Sequence, residues 1–175
     1  VSTNDCDDTD PTAVSTFVDE NCDGFWNTDV VSSGQMHTCA INSIGKIICW
    51  GQDYEKKTLS QLGIDIDQNL SFIQVSAGDY HTCAIDTNGE LHCWGEDRCK
   101  QVSNTPEGHF VQVVSSKQHS CALDIAGKIH CWGAETSSTC SSFVHEGQVS
   151  ETPTYGNFIQ VATGHYHSCG LSTSG

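Results

Sequence analysis

Cysteine is the residue whose type and spacing most clearly indicate chemistry in this chain of 175 residues, which contains eleven of them. Three pairs each enclose a three-residue turn that ends in glycine: Cys39 and Cys49, Cys83 and Cys93, and Cys121 and Cys131. Alternating residues on both sides of such a turn predict a β-hairpin. Paired in that register, the two cysteines lie opposite each other, about 4.5 Å apart at Cα, which a disulfide can span. We therefore predict three cross-strand disulfides. The alternative is a zinc site built from the same thiols, although the usual Cys-x-x-Cys spacing is absent.

A second concentration of reactive groups lies in residues 1–29, where carboxylates surround two cysteines. Ca²⁺ collects six to eight oxygen ligands, and alternating carboxylates in a loop can supply them. The stretch resembles an Asp/Cys-rich metal-binding motif of secreted bacterial proteins, although a second Cys-Asp-Gly unit is missing. The resemblance implies a calcium site, for which the candidate ligands are Asp5, Asp7, Asp10, Asn21 and Asp23. The alternative is a solvated acidic segment that binds no metal. We expect a disulfide between Cys6 and Cys22 to hold the segment.

Histidine and tryptophan recur at fixed places, because the hairpins belong to a longer internal repeat. Each copy begins with Val, has Gly or Ser three residues later and His three residues after that, and then continues to a Cys. The first three copies end in Cys-Trp-Gly. His37, His81, His119 and His167 occupy one slot, and we expect each to make the same structural hydrogen bond within its own blade. Trp50, Trp94 and Trp132 share another slot and are expected to pack between blades. The local pair His165 and His167 is a weak metal candidate, since two ligands do not make a site.

The elements that position these residues are short strands at near-equal spacing. The frame cysteines are separated by 44, 38 and 48 residues, and repeats of this length are typical of propellers. The frame Val-x-x-Gly-x-x-His-[Ser/Thr]-x-Ala-[Ile/Leu], ending in Gly-x-[Ile/Leu]-x-x-Trp-Gly, resembles the RCC1-like (regulator of chromosome condensation) repeat over residues 30–175. The resemblance implies an all-β fold, here a partial β-propeller of about three and a half blades behind the acidic segment 1–29. Variable segments between the hairpins are where a fourth strand of each blade is expected.

Charge and composition exclude several functions. Seven Lys and Arg against 22 Asp and Glu give a net charge of −15, which argues against binding to nucleic acid and to anionic membranes. That charge also does not fit the chromatin-binding members of the family. Eleven cysteines indicate an oxidising, extracellular or cell-surface location, and no apolar run is long enough to insert in a membrane. No nucleophile elbow, phosphate-binding loop or metalloprotease motif is present, so we predict a non-enzymatic protein.

The fourth repeat is incomplete, because it stops at the glycine of its hairpin, Gly175. We expect a Cys99–Cys140 bond between neighbouring segments, which leaves Cys169 unpaired or joined to another chain. An unpaired strand edge receives strands from other chains. We therefore predict a self-assembling fibre or cell-surface component whose partners are copies of itself, with Cys6 of another chain as one candidate for Cys169. The alternatives are a two-chain ring and a fragment of a secreted propeller that binds or inhibits a protein. Asn69 begins the only N-glycosylation sequon.

Overall fold

The computed structural model describes residues 31–51, 70–134, 140, 147–153 and 155–174. Over these residues the protein is all-β and contains no helix, hence none that could cross a lipid bilayer. The strands in chain order are β1 (Val31–Ser33), β2 (His37–Ile41), β3 (Ile47–Gly51), β4 (Phe72–Ala77), β5 (His81–Asp86), β6 (Leu91–Gly95), β7 (Phe110–Ser115), β8 (His119–Asp124), β9 (Ile129–Gly133), β10 (Phe158–Thr163) and β11 (Ser168–Ser172).

The strands form four antiparallel sheets, each of which is one blade. Blades 1, 2 and 3 are three-stranded, with the orders β1-β2-β3, β4-β5-β6 and β7-β8-β9, and blade 4 consists of β10 and β11. The predicted architecture, a partial propeller of about three and a half blades, is therefore confirmed.

The hairpin register that the glycine spacing predicted is also confirmed. In blade 2, Ile85 pairs with Leu91 and Cys83 with Cys93. Gly89 ends the turn with a φ of +84°, a left-handed value that glycine adopts without strain. Equivalent pairings join β2 to β3 and β8 to β9.

The core lies between the blades, because each sheet is only three strands wide and must bury both faces. In blade 2, Cys83 and Ile85 belong to one cluster with Val113, Ala122 and Trp132 of blade 3. We call the side of a blade that meets the next blade its trailing face, and the opposite side its leading face. Alternation along a strand sends successive side chains to these two faces.

One expectation about the variable segments is not met. Residues 96–109, which follow blade 2, form turns and contain no strand. Asp97 organises them, since its Oδ1 accepts hydrogen bonds from the backbone N–H groups of Val102 and Ser103 at 2.9 and 2.8 Å. The acidic segment 1–29 lies outside the described residues, so its separate status stays a prediction.

Candidate interaction surface on the last blade

Three buried histidines join each blade to the next. The pairs His37–Thr82 and His81–Ser120 are hydrogen-bonded through Nε2 and a hydroxyl at 2.7 Å, and His119 reaches Ser168 at 3.0 Å. In each case the hydroxyl belongs to the residue before the frame cysteine of the following blade. The predicted bond within one blade is found for His119, whose Nδ1 contacts the Oγ of Ser116 at 2.8 Å. The bond that all three histidines share was not predicted, and it forms because the side chain points out of its own sheet toward the neighbouring sheet.

Burial keeps two of these imidazoles neutral. Desolvation lowers the pKa of His81 to about 3, helped by the neighbouring imidazoles of His119 and His37. Burial likewise lowers the pKa of His119 to about 4. An imidazole that cannot take a proton at neutral pH and already holds a hydroxyl is a structural link, which disfavours an acid–base role.

A second link between blades uses glutamine, whose role the sequence did not reveal. The Oε1 atom of Gln74 accepts a hydrogen bond from the N–H of Val113 at 2.7 Å, and Gln112 does the same for Val161. Both glutamines stand in the repeated Phe-Ile/Val-Gln-Val strand, so their recurrence was the available signal. What it lacked was any indication that the acceptor faces the next blade.

Tryptophan seals the same interfaces. Trp94 is 2% exposed and belongs to one cluster with Cys39 of blade 1, and Trp132 is buried against blade 2. Trp132 also donates its Nε1 hydrogen to the carbonyl of Gln101 at 2.9 Å. The expected packing between blades is thus observed for these two. Trp50, in the same slot of blade 1, is 51% exposed.

Blade 4 presents the same linking residues to solvent. On its trailing face Gln160 and His167 are exposed, in the slots of Gln74 and His81. Leu171 is 46% exposed, whereas Ile85 in its slot is fully buried. We call Gln160, His167, Cys169 and Leu171 the trailing surface.

The outer edge of blade 4 is unpaired among the described residues. β11 pairs with β10 alone, and Cys169 lies opposite Ala162. Cys169 is a free, exposed thiol at the slot where β2, β5 and β8 each hold a disulfide cysteine. A strand added here would find both backbone hydrogen-bonding groups and a thiol.

Four disulfides lie within the described residues. They join Cys39 to Cys49, Cys83 to Cys93, Cys99 to Cys140, and Cys121 to Cys131. The Cys99–Cys140 bond ties the segment after blade 2 to the segment after blade 3. The thiols of these pairs are therefore not available to a metal.

The metal candidates divide between described and undescribed residues. His165 packs edge-on against the ring of Tyr166, with 4.2 Å between ring centroids. Asp86, Glu90 and His92 bring ligand atoms within 4.8 Å of one another. Asp86 is already occupied, since Oδ1 accepts the N–H groups of Asn88 and Glu90 and Oδ2 contacts His92. The proposed calcium ligands Asp5, Asp7, Asp10, Asn21 and Asp23, the Cys6–Cys22 pair and the Asn69 sequon lie outside the described residues and stay predictions.

Comparison with known proteins identifies the repeat. Residues 72–101 and 110–138 match the family model described as the regulator of chromosome condensation (RCC1) repeat. The repeats are RCC1-like. No curated protein sequence matches the chain.

Solved structures with the same architecture include two plant receptor ectodomains. The chain is 27% identical to the CRINKLY WD40 ectodomain of the Arabidopsis thaliana receptor kinase ACR4, with a TM-score of 0.60, covering 82% of this chain and 45% of that one. It is 25% identical to the ectodomain of the Physcomitrella patens receptor kinase CR4, with a TM-score of 0.66, covering 83% and 38%. Yeast RCC1 (Prp20), solved bound to Kap60, shares the fold at 19% identity and a TM-score of 0.60, covering 85% and 43%. The RCC1-like chain thus spans less than half of each.

Proposed function

We propose that this RCC1-like chain is an extracellular, non-enzymatic protein-interaction module that assembles with copies of itself. A neighbouring chain would cover the trailing surface and complete blade 4. The observation that carries the proposal is the exposure, on blade 4, of the residues that join blades elsewhere. Gln160, His167 and Leu171 are solvent-exposed in slots that are engaged or buried in the preceding blades.

The leading face of blade 1 carries the complementary groups. Val31 is 57% exposed, while Val113, which donates its N–H to Gln74, is fully buried in the same slot. Thr38 stands where Thr82 receives the histidine of the preceding blade. We therefore expect the blade 1 of one copy to place its Val31 N–H on Gln160, and its Thr38 hydroxyl on His167, of the next copy.

Such a contact is head-to-tail, and it joins two different surfaces of the same chain. A head-to-tail contact produces a ring if its rotation closes and a filament if it does not. We call the leading face of blade 1, with Val31, Thr38 and Trp50, the head, and the trailing surface of blade 4 the tail. Trp50 adds apolar area at the head, and large exposed aromatic groups are typical anchors of protein interfaces.

Disulfide bonding and the fold support the proposed location and the proposed lack of enzymatic activity. Four disulfides among the described residues support an oxidising, extracellular setting. Two of the similar structures are receptor ectodomains, and another was solved bound to a protein, Kap60. These relatives support protein binding as the work of this chain, and its buried, hydroxyl-bonded histidines disfavour catalysis.

The test uses two blocked forms of the chain. A tail-blocked form carries Gln160→Ala and His167→Ala, and a head-blocked form carries Thr38→Val and Trp50→Ala. We expect the unmodified chain to form particles that grow with concentration in light scattering, and each blocked form to be monomeric. Mixed together, the two blocked forms should give heterodimers and nothing larger. The tail-blocked form keeps only its head and the head-blocked form keeps only its tail, so each pair can make one contact.

The matched control is His165→Ala, which alters the exposed histidine two residues away and should leave assembly unchanged. A chain that stays monomeric at every concentration would contradict self-assembly. It would favour the second candidate, a piece of a larger secreted RCC1-like propeller that binds or inhibits a protein. The observation favouring that candidate is that the chain spans less than half of the similar structures.

A further inference from the structure

Three side chains that can bind a metal ion come together at the hairpin of blade 2. Asp86 ends β5, Glu90 follows the turn, and His92 lies in β6. The Asp86 N–H donates to the Glu90 carbonyl at 3.1 Å, and Ala84 pairs with His92. Residues two apart on a strand, and residues opposite each other, leave the same face of a sheet. The three side chains therefore project from one face of the hairpin.

The ligand atoms of these three side chains are close enough for one ion to contact all of them. They lie within 4.8 Å of one another, and the Oδ2 atom of Asp86 and the Nε2 atom of His92 are 3.0 Å apart. Ligands at about 2.0 to 2.1 Å from a tetrahedral zinc ion lie roughly 3.3 Å apart, so this pair needs only a small displacement to share an ion. Among the described residues, no other group of three His, Cys, Asp or Glu side chains is spaced in this way.

Two of the three ligands are held in place before any ion binds. The Oδ1 atom of Asp86 accepts the N–H groups of Asn88 and Glu90 at 2.8 and 2.9 Å, which leaves Oδ2 facing His92. The ring of Phe72 packs edge-on against His92, with 5.5 Å between ring centroids. Contacts of this kind around a metal site orient the ligands. Glu90, by contrast, is exposed and can move toward an ion.

Asp86 is a buried carboxylate that would gain from a bound cation. Its side chain is fully buried, and its contacts among the described residues are two backbone N–H groups and one imidazole. Burial alone would raise the pKa of Asp86, but the hydrogen bonds from the Glu90 N–H and from His92 outweigh burial and lower the pKa. The group is therefore ionised at neutral pH, and buried charges in proteins are generally paired or bound to a metal.

We propose that Asp86, Glu90 and His92 form a zinc site at the hairpin of blade 2. His92 binds through Nε2 as a neutral imidazole whose proton lies on Nδ1, and the two carboxylates supply one oxygen each. Imidazole together with carboxylates suits Zn²⁺, whereas Ca²⁺ and Mg²⁺ take oxygen ligands. A tetrahedral ion with three protein ligands keeps a fourth position for water or for a side chain of a bound protein. The site goes beyond the proposed function and does not depend on assembly.

Blade 3 contains a close copy of this arrangement that differs at one ligand. Its Asp124 and His130 bring Oδ2 and Nε2 within 2.8 Å, and Phe110 packs edge-on against His130. Lys128 stands where blade 2 has Glu90, and its ammonium group opposes a cation. The three slots of blade 1 hold Asn42, Lys46 and Ile48. One position therefore separates the zinc site from its copy in blade 3.

The experiment exchanges that position between the two blades in the full chain. Equilibrium dialysis against Zn²⁺ counts the ions bound per chain, and isothermal titration calorimetry gives the affinity. We expect Glu90→Lys to bind one ion fewer than the unmodified chain. We expect Lys128→Glu to bind one ion more, because it completes the set of ligands in blade 3. Glu90→Gln should weaken zinc binding by at least about 10-fold, since even changes to the groups around a ligand cost that much.

Glu151→Lys is the matched control, because it changes the net charge by the same amount at an exposed position after blade 3. Zinc that residues 1–29 or Cys169 bind is common to all these variants, so the difference in the number of bound ions measures the site. His92→Gln removes the imidazole without changing a carboxylate, and it should lose the same ion as Glu90→Lys.

A Glu90→Lys chain that binds as many zinc ions as Glu151→Lys would overturn the site. An unchanged count for His92→Gln would overturn it as well. Light scattering of the same variants separates the two proposals. If Glu90→Lys loses the ion and still assembles, both proposals stand. If the unmodified chain is monomeric and Glu90→Lys loses the ion, self-assembly is wrong and the zinc site stands.

Discussion

Neutral, buried imidazoles are the smallest units that hold the RCC1-like blades together. On folding, His81 and His119 each lose hydrogen bonds to water and gain one to a hydroxyl of the next blade. A buried polar group that keeps a hydrogen bond avoids the cost of desolvation, and a protonated one in the same place does not. The blades are therefore linked by groups whose bonding depends on pH.

The first prediction concerns that pH dependence. The unfolded chain protonates histidine near pH 6.5, whereas the folded His81 resists protonation down to a pKa of about 3. Below pH 6.5 the unfolded state therefore binds more protons, and stability falls as the pH decreases. We expect the free energy of unfolding in urea to be lower at pH 4.5 than at pH 7, by about 2 kcal/mol for each such histidine.

The variant His81→Asn tests the assignment. Asparagine does not titrate, so the difference in stability between pH 7 and pH 4.5 should shrink by the share of His81. The aspartates whose pKa values are lowered, such as Asp86 and Asp124, affect stability only at more acidic pH. An unfolding free energy that is flat between the two pH values would show that the imidazoles become protonated in the folded state.

The second prediction concerns the close approach of neighbouring blades at glycine. A Cβ on Gly78 would lie 2.2 Å from the carbonyl oxygen of Ser116 in the next blade. We expect Gly78→Ala to force the blades apart and cost about 1 to 3 kcal/mol of stability, as overpacking usually does. Thermal unfolding of the variant and the unmodified chain measures this loss of stability.

The same change in the last repeat is the control. The three atoms nearest to a Cβ on Gly164 all belong to the ring of His167, which is exposed and can move aside. Gly164→Ala should therefore cost clearly less than Gly78→Ala. Equal losses would mean that the glycine serves its own turn and not the contact between blades.

At the scale of the element, the hairpin turn is held by one side chain. The Oδ1 atom of Asp124 accepts the N–H groups of Ala126 and Lys128, both at 2.9 Å, and its Oδ2 contacts His130. In blade 1 the turn uses Asn42 for the same two backbone bonds, and Ile48 replaces the histidine. The backbone bonds are thus common to these turns, and the histidine contact is an addition.

The third prediction separates these two contributions. Asp124→Ala removes both backbone bonds and should lower stability by about 1 to 3 kcal/mol. Asp124→Asn keeps an amide oxygen for both bonds and should cost less than about 1 kcal/mol, because the contact with His130 is half-exposed. Urea denaturation of both variants compares them. A loss as large for asparagine as for alanine would mean that the carboxylate charge, not the turn, is what matters.

At the scale of the whole molecule, net charge opposes assembly. Each chain carries −15, and like-charged chains repel at distances that salt shortens, from about 10 Å at 0.1 M to about 3 Å at 1 M. Surfaces that join through hydrogen bonds and apolar contacts bind each other more tightly when salt screens that repulsion.

The fourth prediction is therefore that assembly strengthens with salt. We expect the concentration at which particles appear in light scattering to fall as sodium chloride rises from 0.05 to 0.5 M. The head-blocked form should stay monomeric across the same range, which separates specific assembly from salting out. Weaker assembly at high salt would instead indicate an interface held by opposite charges.

Local sequence determined the hairpins of this protein. A three-residue turn that ends in glycine allows only one pairing register for the flanking strands. The pairing of Cys83 with Cys93 therefore followed from the positions of Gly89 and the two cysteines. The repetition of that unit then predicted the blades, and the cysteine count left Cys169 without a partner, as the structure has it. These inferences succeeded because each depends on the residues of one hairpin, such as Cys83 and Cys93 at a separation of 10, or on the recurrence of that hairpin.

The contacts between blades were decided by the tertiary structure. The histidine and hydroxyl partners lie 39 to 49 residues apart. The alternation of residues along a strand does not indicate which face of the sheet packs against the next blade. For that reason the hydrogen bond of His81 was predicted within its own blade, and the role of Gln74 was not predicted. The repeat specifies which residues recur, and only the stacking of one sheet on the next specifies what they touch.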